Sequence, residues 1–194
     1  MKVLGIYGSP RKAGNSDLLL DAALEAAAQE GAQVERLYCR RVKTVGCLEC
    51  GGCDQTGVCV VSDGMDQVYP LLDWAQSIIL ASPIFFYNLP AQCKAVIDRA
   101  QAPWNRRLLA KGRQDRSYDH GRGWLIAVGA SGGKNLFTGT ELTVRYFYDA
   151  LDMSYQGGLL FSGLEDKGAV KDKPQMLDQA RRLGRQAAEP ELGG

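Results

Sequence analysis

The unbroken apolar run Ile78-Ile79-Leu80-Ala81, between Ser77 and Ser82, shows no polar alternation and reads as a strand covered on both faces. Such a strand belongs in the centre of a parallel sheet with helices on either side. Further strands are expected at 3–7, 33–38, 124–128 and 153–161, and helical patterns at 15–29, 174–187 and near 65–74, 91–100 and 140–151. In the first helix Asn15 and Ser16 can cap, while Leu19, Ala23 and Ala26 form the inward face. Gln33, Glu35 and Arg36 make 33–38 polar enough for a sheet edge.

Five strands with five helices is the count of an α/β flavodoxin-like fold, a doubly wound parallel sheet of order 2-1-3-4-5 with helices on both faces. At 194 residues, one domain spanning 1–194 is expected, with a cysteine-rich loop at 45–62 and an insertion at 102–123. Lys and Arg total 23 against 22 Asp and Glu, so no global field selects nucleic acid or an anionic membrane. The apolar run at Val3 to Tyr7 is too short for a secretory signal, and no segment approaches the roughly 20 apolar residues of a membrane span. A cytoplasmic location is expected, where reducing conditions disfavour disulfides. Cys39 and Cys93 read as small buried hydrophobes.

The other four cysteines fall within thirteen residues as C-x2-C-x2-C-x5-C: Cys47, Cys50, Cys53 and Cys59. Thiolates at such gaps can converge on one centre, and the glycines at 46, 51, 52 and 57 let the backbone wrap it closely. The compact run favours an iron–sulfur cluster; structural zinc, which more often joins two C-x2-C halves across a longer loop, stays open.

In a doubly wound sheet the ligand lies at the carboxyl ends of the strands beside the switch point. After the first strand comes Gly8-Ser9-Pro10-Arg11-Lys12-Ala13-Gly14-Asn15-Ser16, a Gly-rich turn opening onto a helix N-terminus. The side chains of Ser9, Arg11, Asn15 and Ser16 can complete a phosphate cradle, though the spacing is neither a Walker sequence nor G-x-G-x-x-G. After the third strand, Pro83-Ile84-Phe85-Phe86-Tyr87-Asn88 places three aromatics in a loop, suited to a flat heteroaromatic ring. After the fourth, Ala130-Ser131-Gly132-Gly133 offers backbone N–H groups at close approach. Phosphate on one side and a flat ring on the other describe a mononucleotide.

Gly8-Ser9-Pro10-Arg11 with Gly14-Asn15-Ser16, then Ser82-Pro83-Ile84-Phe85-Phe86, then Pro90-Ala91-Gln92-Cys93-Lys94 leading to Asp98-Arg99, resemble the NADPH-dependent FMN reductase group of flavodoxin-like proteins. The cysteine run is similar to that of the iron–sulfur flavoproteins within that group. The likeness is specific over residues 1 to about 100 and general beyond Gly123. It implies FMN held by Ser9, Arg11, Asn15 and Ser16 at the phosphate, and by Pro83, Ile84, Phe85, Phe86, Tyr87, Asn88, Ala130, Ser131, Gly132 and Gly133 at the isoalloxazine. It also implies a [4Fe–4S] cluster on Cys47, Cys50, Cys53 and Cys59, which air can strip. NAD(P)H or a ferredoxin is the implied redox partner, and a homodimer or homotetramer the implied assembly.

Residues 102–123 depart from the group's shorter connection: six Lys or Arg oppose Asp115 and Asp119, with Trp104 and Tyr118 interleaved. A solvated surface loop is expected there, with His120 in a mobile polar segment. No Ser-His-Asp set or paired-carboxylate site can be assembled, and no catalytic side chain is assigned. The expectation is an FMN-dependent oxidoreductase passing electrons between FMN and the cluster. The alternatives are an NAD(P)H-dependent FMN or quinone reductase with zinc or no metal at the cysteines, and a non-enzymatic flavin-binding redox sensor.

Overall fold

The computed structural model describes residues 1–190. Strands β1 (Lys2–Tyr7), β2 (Gln33–Tyr38), β3 (Ser77–Pro83), β4 (Gly121–Val128) and β5 (Met153–Phe161) pair in parallel throughout. Their order is β2-β1-β3-β4-β5, as expected, with β2 at one edge. Because successive side chains of a strand point to opposite faces, β3 feeds two cores at once. Ile78 and Leu80 join Leu4, Ile6 and Leu125 on one face; Ile79 and Ala81 join Val3, Trp124 and Ile126 on the other. All four β3 side chains are at most 1% exposed, and burying each aliphatic one stabilises the fold by about 1.5–3 kcal/mol.

Helices α1 (Asn15–Gln29) and α6 (Pro174–Ala188) cover the second face, through Leu19, Leu20, Leu24, Ala180 and Leu183. The first face is covered by α2 (Tyr69–Trp74), α3 (Ala91–Asp98) and α5 (Thr138–Ala150), through Leu72, Val96, Ile97, Val144 and Phe147. Tyr148 is wholly buried in this layer; its hydroxyl reaches the Trp124 carbonyl at 2.7 Å, and burial raises its pKa well above the usual value. Cys39 and Cys93 are both buried there, as their apolar neighbours suggest.

Residues 102–123 are only in part the solvated loop expected from their charge: 112–120 form an irregular, mostly exposed connection, and the rest does not. Most of the segment's first half lies in helix α4 (Gln101–Lys111), which packs beside α5, and its end opens β4. Arg107 is buried on α4, and its guanidinium donates to the Asp152 carboxylate at 3.1 Å and to the Asp115 and Ser117 carbonyls. His120 is half-buried, with Nε2 3.2 Å from the Leu72 carbonyl. The basic charge reads as solvated on composition, but each Arg107 N–H that finds a carbonyl or carboxylate removes a reason to stay in water.

The two helices of the second face lie so close that Gly184 is required between them: a Cβ there would sit 1.9 Å from the Ala23 carbonyl oxygen. Gly184→Ala is expected to lower stability by about 1–3 kcal/mol through overpacking, despite alanine's better helix propensity. Urea denaturation of the variant, showing a lower midpoint at unchanged slope, checks this.

Candidate functional site

All five strands point the same way, so the loops after β1, β3 and β4 meet at one edge of the sheet. They line a cavity of about 370 Å³, bounded by Ser9, Pro10, Arg11, Gly14, Asn15 and Ser16 on one side and by Pro83, Ile84, Phe85, Val128 and Ala130 on the other. The polar side is the start of α1, whose N-cap is Gly14 and carries no side-chain cap, leaving first-turn N–H groups for an anion. Ser9 is buried, and its Oγ accepts the Arg11 N–H at 3.1 Å, which holds the turn in shape. The opposite side is largely apolar. A phosphate-sized anion and a flat ring therefore fit the donor set of this cavity.

Arg40, just after β2, supports the same turn from behind. Its Nη1 donates to the Ser9 carbonyl at 3.2 Å and pairs with Asp17 at 3.1 Å. Burial raises the Asp17 carboxyl above its usual range, and the Arg40 charge only partly offsets that. By pairing with Asp17, Arg40 offsets a carboxylate beside the anion site.

The structure uses the Asn15 amide differently from a phosphate ligand. Its Nδ2 donates to the Leu164 and Asp166 carbonyls at 3.2 and 2.9 Å, and its Oδ1 accepts the Val170 N–H at 3.2 Å. Asn15 thus ties down the loop after β5, and that loop adds Leu164, Glu165 and Lys167 to the cavity. Sequence reasoning missed these three because nothing local distinguishes them from surface; the only signal was an asparagine with more bonding capacity than a cap needs.

Phe86, Tyr87, Asn88, Ser131, Gly132 and Gly133 lie outside the cavity lining. Phe85 and Asn88 exchange two backbone hydrogen bonds, closing a two-residue turn with Phe86 at φ 49° and Tyr87 at φ 62°. Both are left-handed, a conformation that favours Asn and Gly and costs a bulky residue about 1–2 kcal/mol. Phe86 is fully exposed. The Tyr87 hydroxyl lies against Gly133, where a Cβ would stand 2.9 Å away, so this tip and the loop after β4 are neighbours. Asn88 is engaged within the protein, its Oδ1 accepting the Leu89 N–H at 2.8 Å and the Thr143 hydroxyl at 3.3 Å.

A second cavity, of about 570 Å³, is lined by Cys47, Cys50, Cys53 and Cys59 together with Asp98, Arg99, Gln101 and Ala102 from the corner between α3 and α4. Arg99 is 3% exposed and gathers the two ends of the cysteine loop. Its Nη1 pairs with Asp63 at 2.7 Å and donates to Thr44 Oγ1 at 3.0 Å, while Nη2 donates to the Val61 carbonyl at 3.1 Å and to Cys59 Sγ at 3.3 Å. Burial pushes the Cys59 thiol up, but hydrogen bonds from the Val61 backbone and Arg99 outweigh it and leave its pKa lowered. Burial likewise raises the Asp63 carboxyl, and Arg99, the Met65 N–H and Thr44 bring it below its usual range. Gly57 sits at φ 68°, where a Cβ would come 2.4 Å from Arg106 Cβ, so the loop can close onto α4 only through glycine.

Cys53 and Cys59 form the sheltered side of the loop, and Cys47 and Cys50 the exposed side. Among the described residues, no three His, Cys, Asp or Glu side chains are placed to hold one metal ion between them. A four-iron cluster takes each thiolate on a different iron, so its ligands stand further apart than those of a single ion. Four thiols on one cavity, with N–H donors on Cys47, Cys53 and Cys59 Sγ, are a donor set that fits such a cluster.

The sequence model for NADPH-dependent FMN reductases matches residues 1–163. The chain belongs to that family. Within it, the chain stands with the iron–sulfur flavoproteins. It is 33% identical to one from Methanocaldococcus jannaschii over 97% of this chain and 96% of that protein. It is 42% identical to one from Archaeoglobus fulgidus over 58% of this chain, an alignment that spans only about half (51%) of that protein. A solved NAD(P)H:quinone oxidoreductase from Methanothermobacter marburgensis has the same fold, with a TM-score of 0.72 at 14% identity over 100% of this chain and 99% of that one. As an NADPH-dependent FMN reductase family member the chain is an FMN-dependent oxidoreductase. No helix among its described residues is long and apolar enough to cross a membrane.

The strained tip gives a direct test of the backbone argument. Phe86→Asn, which suits the left-handed region and loses no buried surface, is expected to raise stability by up to about 1 kcal/mol. A higher melting temperature for the FMN-free variant than for FMN-free wild type checks it; an unchanged or lower one shows that the turn is not strained at this residue.

Proposed function

We propose that this chain is a two-centre electron-transfer oxidoreductase, with FMN in the cavity between Ser9 and Phe85 and a [4Fe–4S] cluster on Cys47, Cys50, Cys53 and Cys59. What supports the first assignment most is convergence: Ser9, Arg11, Asn15, Ser16, Pro83, Ile84, Phe85 and Ala130, from three separate loops, share one cavity. Its size falls within the range of about 300–1,000 Å³ usual for small-molecule sites. The cluster assignment is supported by four cysteines on one cavity and by relatives named iron–sulfur flavoproteins. FMN supplies one- and two-electron redox chemistry and the cluster one-electron transfer when both are bound.

The residues' own work is binding and screening. The α1 N-terminus, the Ser16 hydroxyl and the Arg11 guanidinium bind the phosphate, and Arg40 keeps Asp17 from opposing it. Pro83, Ile84, Phe85 and Val128 exclude water from one face of the ring. Asn15 acts by holding the loop that carries Leu164 and Lys167. Phe86, Tyr87 and the Gly132-Gly133 segment form the outer rim of the cavity, where a redox partner would approach. NAD(P)H is the proposed donor, and the family's description names NADPH. A cytoplasmic homodimer or homotetramer is the proposed form.

Arg11→Ala is expected to weaken FMN binding by about 1.5–3 kcal/mol, roughly tenfold to a hundredfold in dissociation constant, with the fold intact. An unchanged constant, measured by flavin fluorescence, would move the phosphate elsewhere. For the second centre, protein prepared without oxygen is expected to contain iron and sulfide at four each per chain, and Cys47→Ser to lose them while keeping FMN. Stoichiometric zinc without sulfide would replace the cluster by a structural ion.

A further inference from the structure

Given a cluster on the four cysteines, the geometry points to Arg99 and Asn105 as the residues that set its reduction potential, by donating N–H groups to the sulfurs of Cys59 and Cys53. Asn105 is 8% exposed on α4, and its Nδ2 stands 3.2 Å from Cys53 Sγ. Arg99 Nη2 stands 3.3 Å from Cys59 Sγ. Neither side chain is free to turn away. The Asn105 amide is held by the Asp54 carboxylate at 2.9 Å and by Gln101 at 3.3 Å, and Arg99 by Asp63, Thr44 and two backbone carbonyls.

The donors are one-sided. Cys53 is buried and Cys59 half-buried, whereas Cys47 and Cys50 are exposed and, among the described residues, the only donor to either is the Glu49 backbone N–H, 3.4 Å from Cys47 Sγ. Reduction adds one negative charge that spreads onto the sulfurs. N–H donors and a buried cation favour the reduced form over the oxidised one, so they raise the potential. In a sheltered setting that preference is screened less than it is beside Cys47. Arg99 and Asn105 act through ligand sulfurs and touch no iron, so theirs is a tuning role. Both come from the α3–α4 corner, in or beside the segment whose charge reads as plain surface in the sequence.

The test uses the protein with both centres loaded, prepared without oxygen, as wild type, Asn105→Leu and Arg99→Lys. Iron, sulfide and the FMN dissociation constant are measured with the cluster midpoint potential, followed by electron paramagnetic resonance of the reduced form. Both variants are expected to titrate at more negative potential, Asn105→Leu with iron, sulfide and FMN affinity unchanged and Arg99→Lys, whose loop is held less firmly, in the cluster it retains. In Asn105→Leu the reduced-to-oxidised ratio at a fixed potential should fall about tenfold, equal to about 59 mV for a one-electron couple. Arg99→Lys should shift less, because the charge remains. Fully loaded variants at wild-type potential would overturn the proposal. Loss of iron from both, with any remaining cluster at wild-type potential, would overturn it equally by making the pair mere scaffold. Wild type lacking iron and sulfide would instead overturn the cluster reading itself.

Discussion

Five strands running in one direction impose the rest of this molecule's organisation. A parallel sheet has no hairpins, so each strand returns through a helix, and both faces must be covered. Every strand-to-helix loop is thereby delivered to the same edge. Three loops far apart in the chain, at Ser9, Pro83 and Ala130, become neighbours there for no reason other than strand direction. Helix α1 starts at that edge as well, which puts uncapped N–H groups where an anion can use them.

Irregular chain beside such an edge has to be held by something other than a ladder. Two arginines do this. Arg40 ties the turn after β1 to the segment after β2, and Arg99 ties both ends of the cysteine loop to the corner between α3 and α4. A guanidinium suits the task because its planar fork satisfies several backbone and carboxylate acceptors at once, which a lysine cannot. Burying it costs desolvation, and Asp17 and Asp63 offset that cost as paired carboxylates. The two anchors stand at Arg40 and at Thr44, a contact of Arg99, only a few residues apart in the chain. A disturbance of one loop therefore has a short covalent path to the other.

Strand positions and both helix layers were legible because local apolar runs and helical patterns carry them, and the strand order because five strands with five helices match a doubly wound fold. The phosphate turn was legible because Gly, Ser and Arg beside a helix start have few other uses. What escaped was set by contacts across the fold. Arg107 looked like surface charge because its partners, Asp152 and the Ser117 carbonyl, are supplied by later chain. Leu164 and Lys167 looked like loop because it is Asn15, some 150 residues earlier, that folds them inward. Arg99 stood in the sequence only as the end of a family motif. Its hydrogen bonds give it a task.

The aromatic loop divides where the backbone changes hand. Phe85 keeps ordinary geometry and lines the cavity, while Phe86 and Tyr87 take up left-handed conformations and lie beyond it. A turn of this kind is most stable with asparagine and glycine, so aromatics here forgo stability that a two-residue substitution could recover. Nothing in the packing compensates at Phe86, which is fully exposed. Strain that no internal contact offsets is what motivates the proposed contact of this rim with a redox partner. On this sheet edge the turn sets the Tyr87 hydroxyl against Gly133 and leaves the Phe86 ring fully exposed beside the cavity.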